Sequence, residues 1–443
     1  MASAAEQLAA NLNFSALAKA EELKKRIWFT LGALLIYRLG TYIPLPGIDP
    51  AAWEQVFSKQ AGGILGMFNM FAGGGIHRMA IFALNIMPYI SASIIVQLMT
   101  TVSPTLEQLK KEGEQGRKVI NQYTRYGTVF LAALQAYGIS VGLQGAGSVV
   151  AEPGIFFNIS TVITLTGGTM FLMWLGEQVT SRGIGNGISL IILAGIVAEL
   201  PSAIAGTLEL SRQGALSVGI LLLVAIMVVV VIAFIVFMER AQRRLLIQYP
   251  KRQVGNRMFE GQSSHLPLKL NTSGVIPPIF ASSLLLLPTT VANFNSGQLP
   301  EWANTVIAQL SHGRPLFLVL YVALIVFFAF FYTAIVFNPT ETADNLKKHG
   351  GFIPGIRPGE RTAEYIDYVL SRITLIGAGY LAAVCLFPEI LISYAAVPFY
   401  FGGTSLLIVV SVTMDTVAQV QGYLLAHQYE GLIKRSKLRG RRR

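Results

Sequence analysis

Ten long apolar runs constrain this chain more than any other feature. They fall at 27–43, 76–101, 126–143, 155–177, 185–203, 215–238, 273–291, 316–337, 373–391 and 400–422. A helix of about 20 apolar residues crosses the ~30 Å hydrocarbon core of a bilayer, and these runs repeatedly approach that length. A membrane β-barrel would instead alternate polar and apolar residues in segments of ~10, a pattern this sequence lacks. Composition agrees: 53% of the 443 residues are hydrophobic and only 13% are charged. A soluble chain carries about a quarter charged residues. The expected class is all-α integral membrane protein.

The orientation follows from lysine and arginine, which are retained in excess on the cytoplasmic side. With ten spans and the N-terminus inside, all but five of the 34 Lys and Arg fall in cytoplasmic segments. The exceptions are Arg38, Lys59, Arg78, Arg212 and Arg314. One span more or fewer would destroy that asymmetry, so both termini are expected inside. The net charge of +11 is thus mainly a topology signal and needs no nucleic acid to explain it. The first span follows Lys24-Lys25-Arg26 and precedes Pro44-Leu45-Pro46-Gly47, which is no cleavage site for a signal peptide, so the span is expected to stay. The single cysteine, Cys385, excludes disulfides within the chain.

Three segments are not simple spans. Gly62–Gly75 reads GGILGMFNMFAGGG, and its apolar centre Ile64–Phe71 is too short to cross. Backbone at membrane depth must be helical or sheltered by protein. A re-entrant helix on glycine hinges and an interfacial helix on the outer surface both fit. The other two are long cytoplasmic loops, 239–272 and 338–372. The first carries Arg240, Arg243, Arg244, Lys251, Arg252 and Arg257; the second carries Arg357 between glycine and proline turns. Such basic surface can dock ribosomal RNA, anionic lipid or an acidic protein face. Topology alone would explain the charge, but not the length or the turns of the second loop.

An internal repeat adds a fold. Pro88–Ser93 and Pro277–Ser282 both read P-x-I-x-A-S, each in the second span of a five-span half. Those two spans run in opposite directions, which suggests an inverted repeat with function near the midplane. No span centre carries the acidic pair or histidine relay usual in ion-coupled transporters; Glu177, Glu239 and Asp415 lie near cytoplasmic ends. Metal-ligand spacing, phosphate loops and nucleophile elbows are absent too, so no cofactor and no metal are expected. A driving force is expected from a partner. Three classes remain at this point: a passive polypeptide channel, an inverted-repeat solute transporter, and a membrane scaffold or insertase.

The stretches FNMFAGG, IFALNIMPYISASIIVQL, KKEGEQGRK, QYTRYGT, TGGTMFLMWLGEQVTSRGIGNGIS, SSHLPLKLN, GVIPPIFASS, FYTAIVFNPTETADNLKKHGGFIPGIRPGERTAEYID and FYFGGTSLLIVV run through the whole chain. In them the sequence resembles the SecY/Sec61 alpha family, the central subunits of protein-conducting channels. The periplasmic segments 141–155, 204–216 and 292–315 match poorly. The resemblance implies two pseudo-symmetric inverted halves, 1–203 and 204–422, followed by a basic tail, 423–443. It implies an hourglass pore narrowed by Ile86, Ile90, Ile188, Ile192, Ile279 and Ile408. An apolar ring there would yield to any side chain without binding it and would resist wetting. Gly62–Gly75 matches the family's plug, with Ile64, Leu65, Met67, Phe68, Asn69, Met70 and Phe71 filling it. The second and seventh spans match a lateral gate, with Pro88, Ser91, Gln97, Pro277 and Ser282, and the two prolines are expected to ease bending.

The implied function is passage of unfolded secretory chains across, and release of transmembrane segments into, the bacterial inner membrane. The implied partners are the small subunits SecE and SecG, the SecA motor ATPase, the ribosome, signal sequences and nascent membrane proteins, membrane lipid, and the accessory SecDF and YidC. ATP hydrolysis would belong to the motor, not to this chain. Arg357 falls on the arginine tied to the motor, and the cluster at 240–257 on the ribosome-facing loop. Asn85, where small residues are more usual, and Pro278, a second proline in the gate, depart from the family pattern.

Overall fold

The computed structural model describes residues 20–60, 69, 71–145, 149–213, 217–250, 252–254, 257–259, 263–294, 309, 314–395 and 403–440. Each of the ten expected spans contains a helix. Seven helices among the described residues are long and apolar enough to cross a bilayer, and an eighth crossing follows if one pair bent by 98° is a single broken span. The chain divides into two compact units: 1–206 with 289–300 and 412–443, and 207–288 with 301–411.

The first unit begins with α1 (Glu21–Gly40), whose acidic first turn suits the positive end of a helix dipole. Helix α2 (Pro50–Gln60) follows, its free Ala51 N–H satisfied by Asp49 Oδ1 at 3.0 Å. Then come α3 (Met87–Val102), α4 (Pro104–Lys111), α5 (Glu114–Gly145), α6 (Ile155–Arg182) and α7 (Gly187–Arg212). Helix α5 packs between α3 and α6, and α1 packs on α6. Small residues permit this: Thr128, Ala132 and Ala136 of α5 are fully covered, and Gly127 faces Ala92 of α3. Lipid gives apolar faces no hydrophobic reason to associate, so such close approach is what holds membrane helices together. A core of Leu45, Trp53, Phe57, Met79, Val150, Phe157 and Leu165 closes one end of the unit.

The second expected span needs correction. Residues 76–101 do not form one helix; α3 starts at Met87, and the segment before it is a chain of tight turns. Gly73 and Gly74 adopt φ of 61° and 79°, and Met79 and Asn85 adopt 44° and 48°. Left-handed residues cannot continue a right-handed helix, so the helix waits until they are passed. Pro88 therefore stands in the first turn of α3, where a missing N–H costs nothing. It starts a helix instead of bending one.

The second unit holds α8 (Val218–Arg240), α9 (Ile276–Phe294), α10 (Pro315–Val336), α11 (Pro339–Lys348) and α12 (Glu360–Ala395). Pro277 and Pro278 are the second and third residues of α9, so they too open a helix. Helix α13 (Gly403–Gly440) contributes residues to both units. The loop 239–272 is more ordered than its polar sequence suggests. Strands β1 (Gln242–Gln248) and β4 (Ser263–Lys269) pair antiparallel with Leu245 opposite Leu266. Between them, β2 (Arg252–Val254) pairs with β3 (Arg257–Phe259).

The loop 338–372 is likewise built: Asn338 caps α11 by accepting from Thr340 and Glu341 N–H, and α12 already begins at Glu360. Phe352 and Gln248 exchange backbone hydrogen bonds of 3.0 and 2.9 Å, joining the two loops. Beneath them Leu245, Leu268, Ile353, Ile366, Val369 and Ile373 form a core of their own. In water, burying each such side chain contributes about 1.5–3 kcal/mol.

Candidate functional site

Of the expected plug residues, Asn69 and Phe71 are described; Ile64, Leu65, Met67, Phe68 and Met70 lie outside the described residues. The structure describes the segment that follows them, Phe71–Gly75, and the seat that holds it. Asn69 Oδ1 accepts from His77 N–H at 2.7 Å, and Asn69 O accepts from Gly74 N–H at 2.9 Å. Phe71 and Ala72 are buried. Asn85 Nδ2 donates to Phe71 O, so the residue that departs from the family pattern anchors this turn. Its Oδ1 is buried and has no partner among the described residues.

The backbone at Gly73 meets that of Gly195 on α7. A Cβ on Gly73 would lie 2.9 Å from Gly195 Cα, and a Cβ on Gly195 would lie 2.8 Å from Phe71 O. Two glycines therefore allow a backbone approach that no other residue type fits. From α1, Arg38 Nη1 donates to Gly73 O at 2.6 Å. The Arg38 and Arg78 guanidinium groups lie 4.9 and 4.1 Å from the centre of one ring, that of Tyr42. None of these three was singled out as a site residue. They sit as far as 40 positions apart in sequence, so only the fold brings them together.

The isoleucines of the expected constriction all lie at helix starts. Ile86 is the N-cap of α3, and Ile90 donates its N–H to Ile86 O at 3.1 Å, placing the two one turn apart on one face. Both are buried, as is Ile192; Ile188, the second residue of α7, is half-buried. In the other unit, Ile279 is half-buried in the first turn of α9, and Ile408 is buried in the second turn of α13.

Of the three polar residues expected at the gate, two donate within their own helices, while Gln97 Oε1 is buried with no partner among the described residues. Ser282 Oγ donates to Ile279 O at 2.9 Å, and Gln97 Nε2 donates to Ser93 Oγ at 3.2 Å. Ser91 is buried, as are Pro88 and Pro277. Behind α3, Arg125 of α5 grips Glu177 of α6 through Nε at 3.2 Å and Nη2 at 2.6 Å. Such a fork holds two helices in one register.

On the basic loops, Arg240, Arg243 and Arg244 are exposed, while Leu245 and Ile247 of the same strand point inward. Arg252 and Arg257 lie on β2 and β3, and Lys251 lies outside the described residues. Arg357 is exposed at an apex between Gly355 and Gly359, both left-handed at φ 83° and 106°. Its carbonyl accepts from buried Thr362 Oγ1 at 2.9 Å, so the backbone is held while the side chain stands exposed. On α4, a hydrogen bond from Lys111, 2.8 Å away, and its charge hold the Glu107 carboxyl below its usual range.

A family model for SecY matches residues 80–417. A protein translocase subunit SecY of Escherichia coli K12 is 57% identical over 423 residues, covering 95% of this chain and 96% of the relative. The chain belongs to the SecY family. A SecY of Rickettsia bellii is 56% identical and is matched over its full length, 97% of this chain. Among solved structures, a protein-conducting channel superposes with a TM-score of 0.65 at 16% identity, covering 90% of this chain and 92% of that one. Sec61 from a canine ribosome–channel complex of the endoplasmic reticulum gives 0.64 at 17% identity, covering the same 90% and 92%. The fold is therefore that of the SecY and Sec61 channels, which have ten transmembrane helices and a plug. The chain is a membrane channel subunit of protein translocase, and the transporter and scaffold classes fall away.

Proposed function

We propose that Ile86, Ile90, Ile188, Ile192, Ile279 and Ile408 line the constriction through which an unfolded polypeptide passes. In this reading, residues 62–75 plug it at rest, and α3 and α9 open toward lipid to release transmembrane segments. The observation that carries it is the seat at Phe71–Gly75, tied by side chains directly upstream of the Ile86–Ile90 turn. A segment so placed is anchored next to two of the isoleucines it would have to cover.

In this reading the chain has no catalytic group. Work comes from an ATP-driven motor, SecA, or from the ribosome, docking on Arg240–Arg257 and Arg357. Relatives of the Sec61 and Ssh1 type are found on ribosomes, which supports that docking here. SecE and SecG are the expected small companions, with SecDF and YidC as accessories. The setting is the bacterial inner membrane with both termini cytoplasmic.

A stalled secretory chain tests the constriction. It should crosslink to photoreactive probes at Ile86, Ile192, Ile279 and Ile408, but not at Trp28, Leu35 or Leu39, which stand exposed on α1. An active channel that crosslinks at none of the four isoleucines would remove the assignment.

A further inference from the structure

The plug must be held by something that stays behind when it leaves. Two side chains donate to the seat's carbonyls at Phe71 and Gly73, and they differ in where they come from. Asn85 reaches Phe71 O from the same connecting segment, fourteen residues downstream of it, and can travel with it. Arg38 reaches Gly73 O from α1, a separate helix. It ties the seat itself to a separate helix, and being charge-assisted it is of a stronger kind than the neighbouring bond from Trp53 Nε1 of α2 to Ile76 O at 2.8 Å.

The surroundings prepare Arg38 for that single bond. Its Nη2 donates to Tyr42 Oη at 3.0 Å, and its guanidinium lies over the Tyr42 ring. Arg78 holds that ring from its own guanidinium and donates to Thr41 O at 3.4 Å. One aromatic ring shared by two cations orients both. On the other side, α7 packs Gly195 against Phe71 O and Gly73 and brings the Glu199 carboxylate against Gly74, beside Arg78. The charged donor to the seat's backbone among the described residues is Arg38.

We propose that Arg38, braced by Tyr42 and Arg78, is the positioning residue that holds the plug's downstream hinge at rest, and that its bond to Gly73 O breaks whenever the plug leaves. This rests on the plug reading given above. Gly73 and Gly74, already left-handed, supply the rotation that follows release.

The test uses the full chain with its membrane partners, reconstituted in planar bilayers without a translocating polypeptide. Arg38→Gln should raise resting ion conductance roughly tenfold or more, the scale on which one hydrogen bond to a charged group biases a two-state equilibrium. Arg38→Lys should raise it less, because an ammonium reaches Gly73 O but offers no fork to Tyr42. Gly195→Ala, which presses a methyl group on Phe71 O from the opposite side, should act in the same direction. Deletion of Ile64–Phe71 separates the two readings. If the deletion leaves conductance unchanged, the plug reading fails and this inference with it. If the deletion opens the channel but Arg38→Gln does not, the positioning role alone fails. If Arg38→Gln opens wild-type and plug-deleted channels equally, Arg38 acts on the wall instead of the plug, and the proposal is overturned.

Discussion

The seat at Phe71–Gly75 and the joined loops 239–272 and 338–372 are both irregular segments beside membrane helices, yet they are held by opposite means. The loops rest on a dry cluster in which Ile366 is fully buried and Leu245, Leu268, Ile353, Val369 and Ile373 surround it. The seat rests on single hydrogen bonds to backbone carbonyls, on left-handed glycines, and on two buried polar atoms, Asn85 Oδ1 and Tyr37 Oη, that have no partner among the described residues. A cluster of six apolar side chains gives up its stability only as a whole. Individual hydrogen bonds, at about 0.5–1.5 kcal/mol each or about 1.5–3 to a charged group, can be exchanged one at a time. On the proposed function, the loops would present arginines without moving, and the seat would let go.

The largest effect should come from emptying the cluster. Ile366→Ala should cost about 2–5 kcal/mol locally, with β1–β4 cut by protease far sooner than in the parent. If the loops stayed resistant, their rigidity would have another source. Next in size is Arg357→Glu, which should lower motor-driven secretion roughly tenfold while sparing insertion of ribosome-delivered membrane proteins and leaving protease resistance intact. Equal loss of both activities would mark a structural defect at the apex. Asn85→Ala should weaken the turn at Phe71 by about 1–3 kcal/mol, read as faster exchange of the Gly74 and Gly75 amides, while resting conductance rises less than in Arg38→Gln. Unchanged exchange would mean that Phe71 O finds another donor.

The smallest effect is a pH dependence at α4. Glu107 has its folded pKa depressed by Lys111, so its contribution is present above the usual carboxylate pKa and is lost as pH falls through the lowered value. The pair is exposed and screened, so Glu107→Gln should leave motor-driven secretion near parental at neutral pH. A large loss there would give the pair a docking role.

Much of the fold was legible because apolar runs of span length and a charge asymmetry are local, additive signals. The repeat at Pro88 and Pro277 was legible too, but its meaning was not. Both prolines read as places to bend, and both turn out to begin helices, because the left-handed residues before Pro88 could not be seen in a string of apolar letters. The strand pairing in QRRLLIQ and SSHLPLK was hidden for a related reason. Leu245, Leu246 and Ile247 run together, and Pro267 is a poor strand residue, so neither segment announces its inward face. Asn85 stood out as a departure, but its donor role to Phe71 needs a tertiary contact. Arg38 and Arg78 counted in the sequence only as exceptions to the charge rule; their shared ring explains why charge is kept there.

Backbone hydrogen exchange, with and without a stalled polypeptide in the channel, tests the contrast most directly. The account predicts that the amides of Gly74, Gly75 and Ala80, which donate within the seat, exchange about a hundredfold faster when the channel is occupied. The amides of Leu245, which faces Leu266 across the ladder, and Gln248, which donates to Phe352 O, should keep their protection. Seat and strands responding alike, or the seat staying protected in an occupied channel, would contradict it.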